Sequence, residues 1–232
     1  ARLAFLPAAC LALATASLGV ALAGPRTGDH KITIHKEGIA IMMVVDISGS
    51  MQALDLSSRD EELTRLDAVK RIFKDFVAGG QNLRGRPDAS VGLVTFATYA
   101  DSRCPLTLDH DSLVDAVNDV TIASEAAEAR TALGDGLDLA LERLRVAKAE
   151  SKIAILLTDG VNNAGETETL AAAQLAHTLG VKVYTIGAGT NGLAPVRAED
   201  PFSGRTVLRQ MRVEIDEDTL RKIAEQTGGR YF

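Results

Sequence analysis

Asp46, Ser48 and Ser50 stand at alternate positions in VVDISGSM, directly after the apolar run Ile41 to Val45. Thr131 in RTALGDGL and Asp159 in LLTDG hold comparable places, one at an expected helix start and one after another apolar run. Carboxylate, hydroxyl and water oxygens are hard donors that suit Mg²⁺, Mn²⁺ or Ca²⁺, whereas softer metals prefer sulfur or imidazole. A spacing of two lets side chains of a turn point the same way, and Gly49 frees the backbone to curl them round one point. Two carboxylates just neutralise a dication and hydroxyls add no charge, so a vacant coordination position can still attract an acidic group from outside. A competing reading makes Ser48 and Ser50 caps of the next segment and Asp46 an acceptor of backbone amides.

Positioning such a set requires strand ends that converge. Short β-branched apolar runs are expected as strands at 38–45, 90–97, 152–157, 181–186 and 206–213. Between them, 63–77, 112–120, 131–148, 167–179 and 216–226 carry apolar residues at three- and four-residue spacing and read as helices. Alternation of this kind predicts a three-layer, doubly wound α/β fold, Rossmann-like, with a mostly parallel sheet covered on both faces. Ligands of such sheets gather at the carboxyl ends of the strands, where Asp46, Asp159 and Gly187 fall. Asp216 is placed to cap the last helix and Gly228 to close it.

VVDISGSM, RTALGDGL and LLTDGVNNAG resemble, in order, the three segments of the metal-ion-dependent adhesion site of von Willebrand factor type A domains, over about residues 36–232. GLVTFA, PLTLDHD, VYTIGAGTNGLAPV and IDEDTLRKIAEQTGGRYF are similar to the Bat-type aerotolerance proteins of bacterial inner membranes. The resemblance implies that Ser48, Ser50 and Thr131 coordinate the metal, with Asp46 and Asp159 binding it directly or through water. It also implies a protein-binding, non-enzymatic role, in which a partner's acidic residue reaches the metal. Other Bat proteins and a MoxR-type AAA+ ATPase are the partners it suggests, with the domain periplasmic. Arg130 departs from the glycine usual before the threonine, which raises the question of an altered loop or of a cation beside the metal.

Two enzymatic readings compete. Gly187 to Gly192 matches GxGxxG after a strand, but a dinucleotide site needs a helix to open there, and LAPVRAEDPFSG has prolines and no helical period. Asp46 at a strand end also suits an Mg²⁺-dependent phosphohydrolase of aspartyl-phosphate type. Such enzymes place a general acid two residues on, where this chain has Ser48, whose hydroxyl has no useful pKa. No GxSxG elbow is present. Asp135, Asp138, Glu166 and Glu168 lie in segments that approach the site and read as solvated helix and loop positions.

A formal charge of −6 and 4% aromatic residues leave no basic surplus for a phosphate backbone and little for base stacking, which speaks against nucleic acid. Cys10 and Cys104 make no disulfide framework and no zinc site, and the four histidines are scattered. Residues 3–23 form an uncharged apolar run of 21 residues, enough to cross about 30 Å of hydrocarbon as a helix. Residues 1–26 are accordingly read as a transmembrane helix, with a signal peptide as the alternative because Ala21-Leu22-Ala23 resembles a cleavage site. Residues 27–37 follow as a linker, and 38–232 as the domain, expected to be cut short within a strand at Tyr231-Phe232.

Overall fold

The apolar run before Asp46 becomes the middle strand of a five-stranded sheet, in the order Ala100–Thr107, Ser90–Phe96, Ile39–Asp46, Ser151–Thr158 and Lys182–Gly187. The computed structural model describes residues 6–23, 38–57, 61–80, 83–123, 129–159, 161–199 and 205–232. Two units make it up, residues 1–35 and 36–232. In the larger unit β1 (Ile39–Asp46), β2 (Ser90–Phe96), β4 (Ser151–Thr158) and β5 (Lys182–Gly187) run parallel, while β3 (Ala100–Thr107) is antiparallel to β2. The β2–β3 ladder is irregular, with register shifts on either side of Leu93.

Side chains of β1 alternate between two cores. Ala40, Met42 and Val44 pack with Phe96, Leu156 and Val183 under α4 (Leu133–Arg145), α5 (Thr169–Thr178) and α6 (Glu217–Thr227). Ile41, Met43 and Val45 pack on the opposite face under α2 (Arg65–Ala78) and α3 (His110–Asn118), against Leu66, Val69, Phe73, Leu113 and Val117. Burial on both faces explains why these strands read as unbroken apolar runs rather than alternating ones. Helix starts are set locally. Thr64 and Asp67 form a reciprocal capping box on α2, and Asp216 accepts the Thr219 amide at 3.1 Å on α6. Gly228, in the left-handed conformation, closes α6.

All five expected helices and the core strands lie within two residues of their expected starts; α4 begins at Leu133 where 131 was expected. Thr131 and Ala132 are drawn out of the helix because the Ala132 amide bonds the Ala97 carbonyl at 2.7 Å. Two strands were not anticipated. β3 carries Pro105 and alternating charge, the pattern of an edge. β6 (Gly192–Glu199) lies in the glycine- and proline-rich stretch read as a loop, and pairs with β7 (Thr206–Val213) in a hairpin separate from the main sheet. A two-stranded ribbon tolerates Pro195 because one side of each strand needs no amide partner, and the Pro195 carbonyl accepts the Leu54 amide at 2.9 Å. Tyr231 forms an isolated parallel bridge with Thr185 of β5.

In the smaller unit, α1 (Leu6–Ala23) takes up the apolar run from residue 6 onward; residues 3–5 and the linker lie outside the described residues. At 18 residues the helix spans about 27 Å, and among the described residues no helix is long and apolar enough to cross a membrane. The transmembrane expectation is therefore not reproduced in the described helix.

Gly134, in the first turn of α4, passes so close to the 165–169 loop that a Cβ there would lie 2.0 Å from the Thr167 carbonyl oxygen. Backbone on both sides must move to admit a methyl group. Gly134→Ala is expected to cost about 1 to 3 kcal/mol of unfolding free energy, measured as a lowered denaturant midpoint with an unchanged slope.

Candidate metal centre

Asp46 ends β1 with no exposed surface, on the face of the strand that carries Met42 and Val44. Its Oδ1 accepts the Ser48 amide at 2.8 Å and its Oδ2 accepts the Thr158 hydroxyl at 2.6 Å. The turn that follows bends Ser48 and Ser50 onto one side, with their hydroxyl oxygens 3.1 Å apart. Ser48, at the N-cap of the short 3₁₀ turn Gly49–Gln52, makes no side-chain cap bond. The competing capping reading thus fails for Ser48, although Asp46 does accept a backbone amide as that reading required.

Thr131 is 3% exposed and is held from behind by two asparagines. Asn163 Oδ1 accepts the Thr131 amide at 2.9 Å, while the Thr131 carbonyl accepts the amides of Asn163 and Ala164, each at 3.0 Å. Asn162 Oδ1 accepts the Leu133 amide at 2.9 Å, one of the donors that the first turn of α4 leaves without a helical partner. Asp135 fixes the other side of this loop by accepting the Glu166 and Thr167 amides, the latter at 2.7 Å. Its carboxylate is therefore a loop anchor rather than the solvated group expected. Arg130 has no positive φ, so the residue does not need glycine there. Its amide donates to Thr98 Oγ1 and its guanidinium to the Asn163 carbonyl.

Ser50, Thr131 and Asp159 line one cleft of about 160 Å³, walled by Val161, Asn163 and residues 211–214 of the hairpin end. Asp46 and Ser48 lie against it, bonded to Thr158 and Ser50. All five expected side chains are thereby brought to one end of the sheet. Burial, reinforced by the neighbouring negative charge of Asp159, pushes the Asp46 carboxyl up to about 7. Burial also raises Asp159, against the lowering effect of Ser50 and Arg65. Two buried carboxylates that resist ionising together fit a dication, which removes the repulsion raising them. Among the described residues no group of three His, Cys, Asp or Glu side chains assembles, so the donor set is two carboxylates with hydroxyls. That set suits a hard cation with room for outside oxygens.

Arg65 and Asp55 were not anticipated. Arg65 opens α2, is fully buried, and donates from Nη1 to Asp159 Oδ2 at 3.1 Å. Its Nε and Nη2 fork onto Asp55 at 2.9 and 2.7 Å. Nothing in the sequence around Arg65 sets it apart from the other arginines of the chain. The one trace is the glycine run at 187–192: Gly189, at φ +135°, would place a Cβ 2.3 Å from the Arg65 Cζ. The run that mimics a dinucleotide fingerprint leads into β6 with no helix, and part of its glycine content makes space for this guanidinium.

The von Willebrand factor type A domain profile matches residues 40–232. An uncharacterized protein of Borreliella burgdorferi is 31% identical over 96% of this chain, which spans 61% of that protein's length. The crystal structure of an aerotolerance-related membrane protein from Bacteroides fragilis superimposes with a TM-score of 0.65 at 25% identity, covering 84% of this chain and 90% of that one. Proximal thread matrix protein 1 from the mussel byssus, in a structure with a zinc-occupied MIDAS motif, has the same fold at 24% identity and a TM-score of 0.57, over 84% of this chain and 41% of that one. With strand order, convergent oxygens and profile in agreement, the chain belongs to the von Willebrand factor type A domain family.

Proposed function

We propose that this chain binds a divalent cation, Mg²⁺ by preference with Mn²⁺ or Ca²⁺ as substitutes, through Ser48, Ser50 and Thr131, with Asp46 and Asp159 contributing directly or through water. The observation that carries the reading is the gathering of three hydroxyls and two buried, mutually repelling carboxylates at one cleft. The bound cation would supply an electrophilic point for an outside carboxylate, and the chain's own residues hold it at the mouth of a rigid sheet. An acidic side chain of a protein partner is the ligand this arrangement favours, because the protein's two carboxylates leave the dication neutral overall rather than repelling. The function proposed is recognition rather than catalysis, since the position two residues after Asp46 is Ser48 and no second acid stands there to move a proton.

The cellular setting is part of the same proposal. The uncharged run at 3–23 would anchor the chain in a bacterial inner membrane, with the domain in the periplasm. In α1 the Thr15 and Ser17 hydroxyls bond back to the carbonyls of Leu11, Ala12 and Ala14, which is how such groups are satisfied in lipid. The aerotolerance-related neighbour is a membrane protein, which supports membrane association; a stress-tolerance complex with other proteins of its kind and a MoxR-type AAA+ ATPase is the further part of this proposal and rests on the sequence resemblance alone.

Saturating Mg²⁺ or Mn²⁺, at about 100 times its dissociation constant, is expected to raise the melting temperature by about 5 to 10 °C, and Asp46→Ala to abolish the rise. The chain has no Trp, so calorimetry or a dye reports the transition. A metal response that survives Asp46→Ala contradicts the assignment.

The raised Asp46 carboxyl gives a pH dependence of definite sign. Its folded value of about 7 exceeds the ordinary 3.8, so in EDTA the folded state binds more protons than the unfolded one between those values and loses stability as pH rises through them. Asp46→Asn, which cannot ionise, should therefore gain on the metal-free wild type from about pH 4 to about pH 7, with no further gain above. Stabilisation of the wild type by metal should grow over the same window, because the cation needs the carboxylate. Melting temperatures of both proteins across that range, with and without Mn²⁺, check the sign.

A further inference from the structure

Arg65 is a fully buried cation bonded to Asp159, and its surroundings leave it little freedom to move. Both oxygens of Asp55 are engaged by its fork. Asp55 Oδ2 also accepts the Thr190 amide at 2.7 Å and the Thr190 hydroxyl at 3.0 Å, and Arg65 Nη2 reaches the Thr190 carbonyl at 3.4 Å. The guanidinium lies under the Gly189 backbone, where any Cβ would collide with it. Arg65 is thus clamped by α2, by the turn at Asp55 and by the loop before β6, and presents only Nη1 to Asp159.

We propose that Arg65 is a positioning residue that holds Asp159 back from direct coordination of the cation, and that Asp55 limits how strongly it does so. This rests on the reading that the cleft holds a divalent cation. With one Asp159 oxygen committed to Arg65, and the carboxylate also bonded to Ser50, a swing of Asp159 onto the metal would strand a buried guanidinium donor. Asp159 acts instead through an intervening water, and the cation keeps an open position and the pull needed for a partner's carboxylate. Charge supports the same division of labour. Asp46, Asp159 and Asp55 with Arg65 sum to −2 when all are ionised, which a dication neutralises. Asp55 thus offsets the charge of Arg65 while leaving its hydrogen bond to Asp159 in place.

The test is Mn²⁺ binding to the intact chain, wild type beside Asp55→Asn and Asp55→Asn/Arg65→Met. Free Mn²⁺ is read by electron paramagnetic resonance, and the number of waters on the bound ion by proton relaxation. Asp55→Asn leaves Arg65 uncompensated and should weaken Mn²⁺ by about tenfold or more. The double variant removes the pair as a unit, which a buried ion pair tolerates better than loss of one partner. It should bind Mn²⁺ more tightly than the wild type, with about one water fewer on the ion as Asp159 moves in. General damage to the fold would weaken both variants alike. Weakening in the double variant, or an unchanged water number, overturns the proposal; if one variant does not fold, the other decides by the sign of its shift. Failure of the wild type to bind Mn²⁺ at all removes the metal reading itself, a different outcome from wild-type binding without this order of affinities.

Discussion

A carboxylate with no exposed surface, at the end of the central strand, is the constraint around which the larger unit is arranged. Taking Asp46 out of water is costly, and the burial that raises its pKa measures that cost. The chain meets it with a fixed donor at each oxygen, the Ser48 amide from its own turn and the Thr158 hydroxyl from the adjacent strand. β1 and β4 are aligned so that Val45 pairs with Leu157, which brings Thr158 level with Asp46. Sheet register and site geometry are therefore one fact: a slip of one residue between these strands would turn Thr158 away and leave a buried oxygen without a partner.

The loops repeat this logic at a larger scale. Thr131 is presented by a segment with no regular structure, yet few of its polar groups are loose. Asn162, Asn163 and Asp135 bind the amides that frame it, and Ala97 ties it to the end of β2. Placing a hydroxyl on a loop whose backbone is bonded from three sides gives it the precision of a residue on a strand. Arg130 joins the same frame through the Asn163 carbonyl, which explains how a long side chain stands where glycine is usual without forcing the backbone.

The sequence carried the parallel core and the placing of Asp46, Ser48, Ser50, Thr131 and Asp159 at one end of it, because each rests on a local rule: unbroken apolar runs, spacing by two, helix starts. The missed parts depend on pairings between distant residues. Pro195 argued against a strand, and only the partner β7 makes β6 possible. Asp55 and Arg65 are ten residues apart and Thr190 lies 125 beyond Arg65, so no window of sequence contains the clamp. Asp135 was visible as an acid near the site, but its two amide partners come from the loop beyond β4.

The borders of the main sheet constrain how another protein can approach. β3 closes one side with Pro105, which has no amide to offer, with Asp101 and Arg103 exposed along it, and with two breaks in register that bend the ladder. On the other side, the outer amides of Thr185 and Gly187 in β5 are taken by Arg230 and Phe232. Neither border offers a straight row of free backbone groups, so recognition by adding a strand to this sheet is disfavoured. At the end of the sheet where the strands stop, by contrast, the cleft offers the side-chain oxygens of Ser50, Thr131 and Asp159.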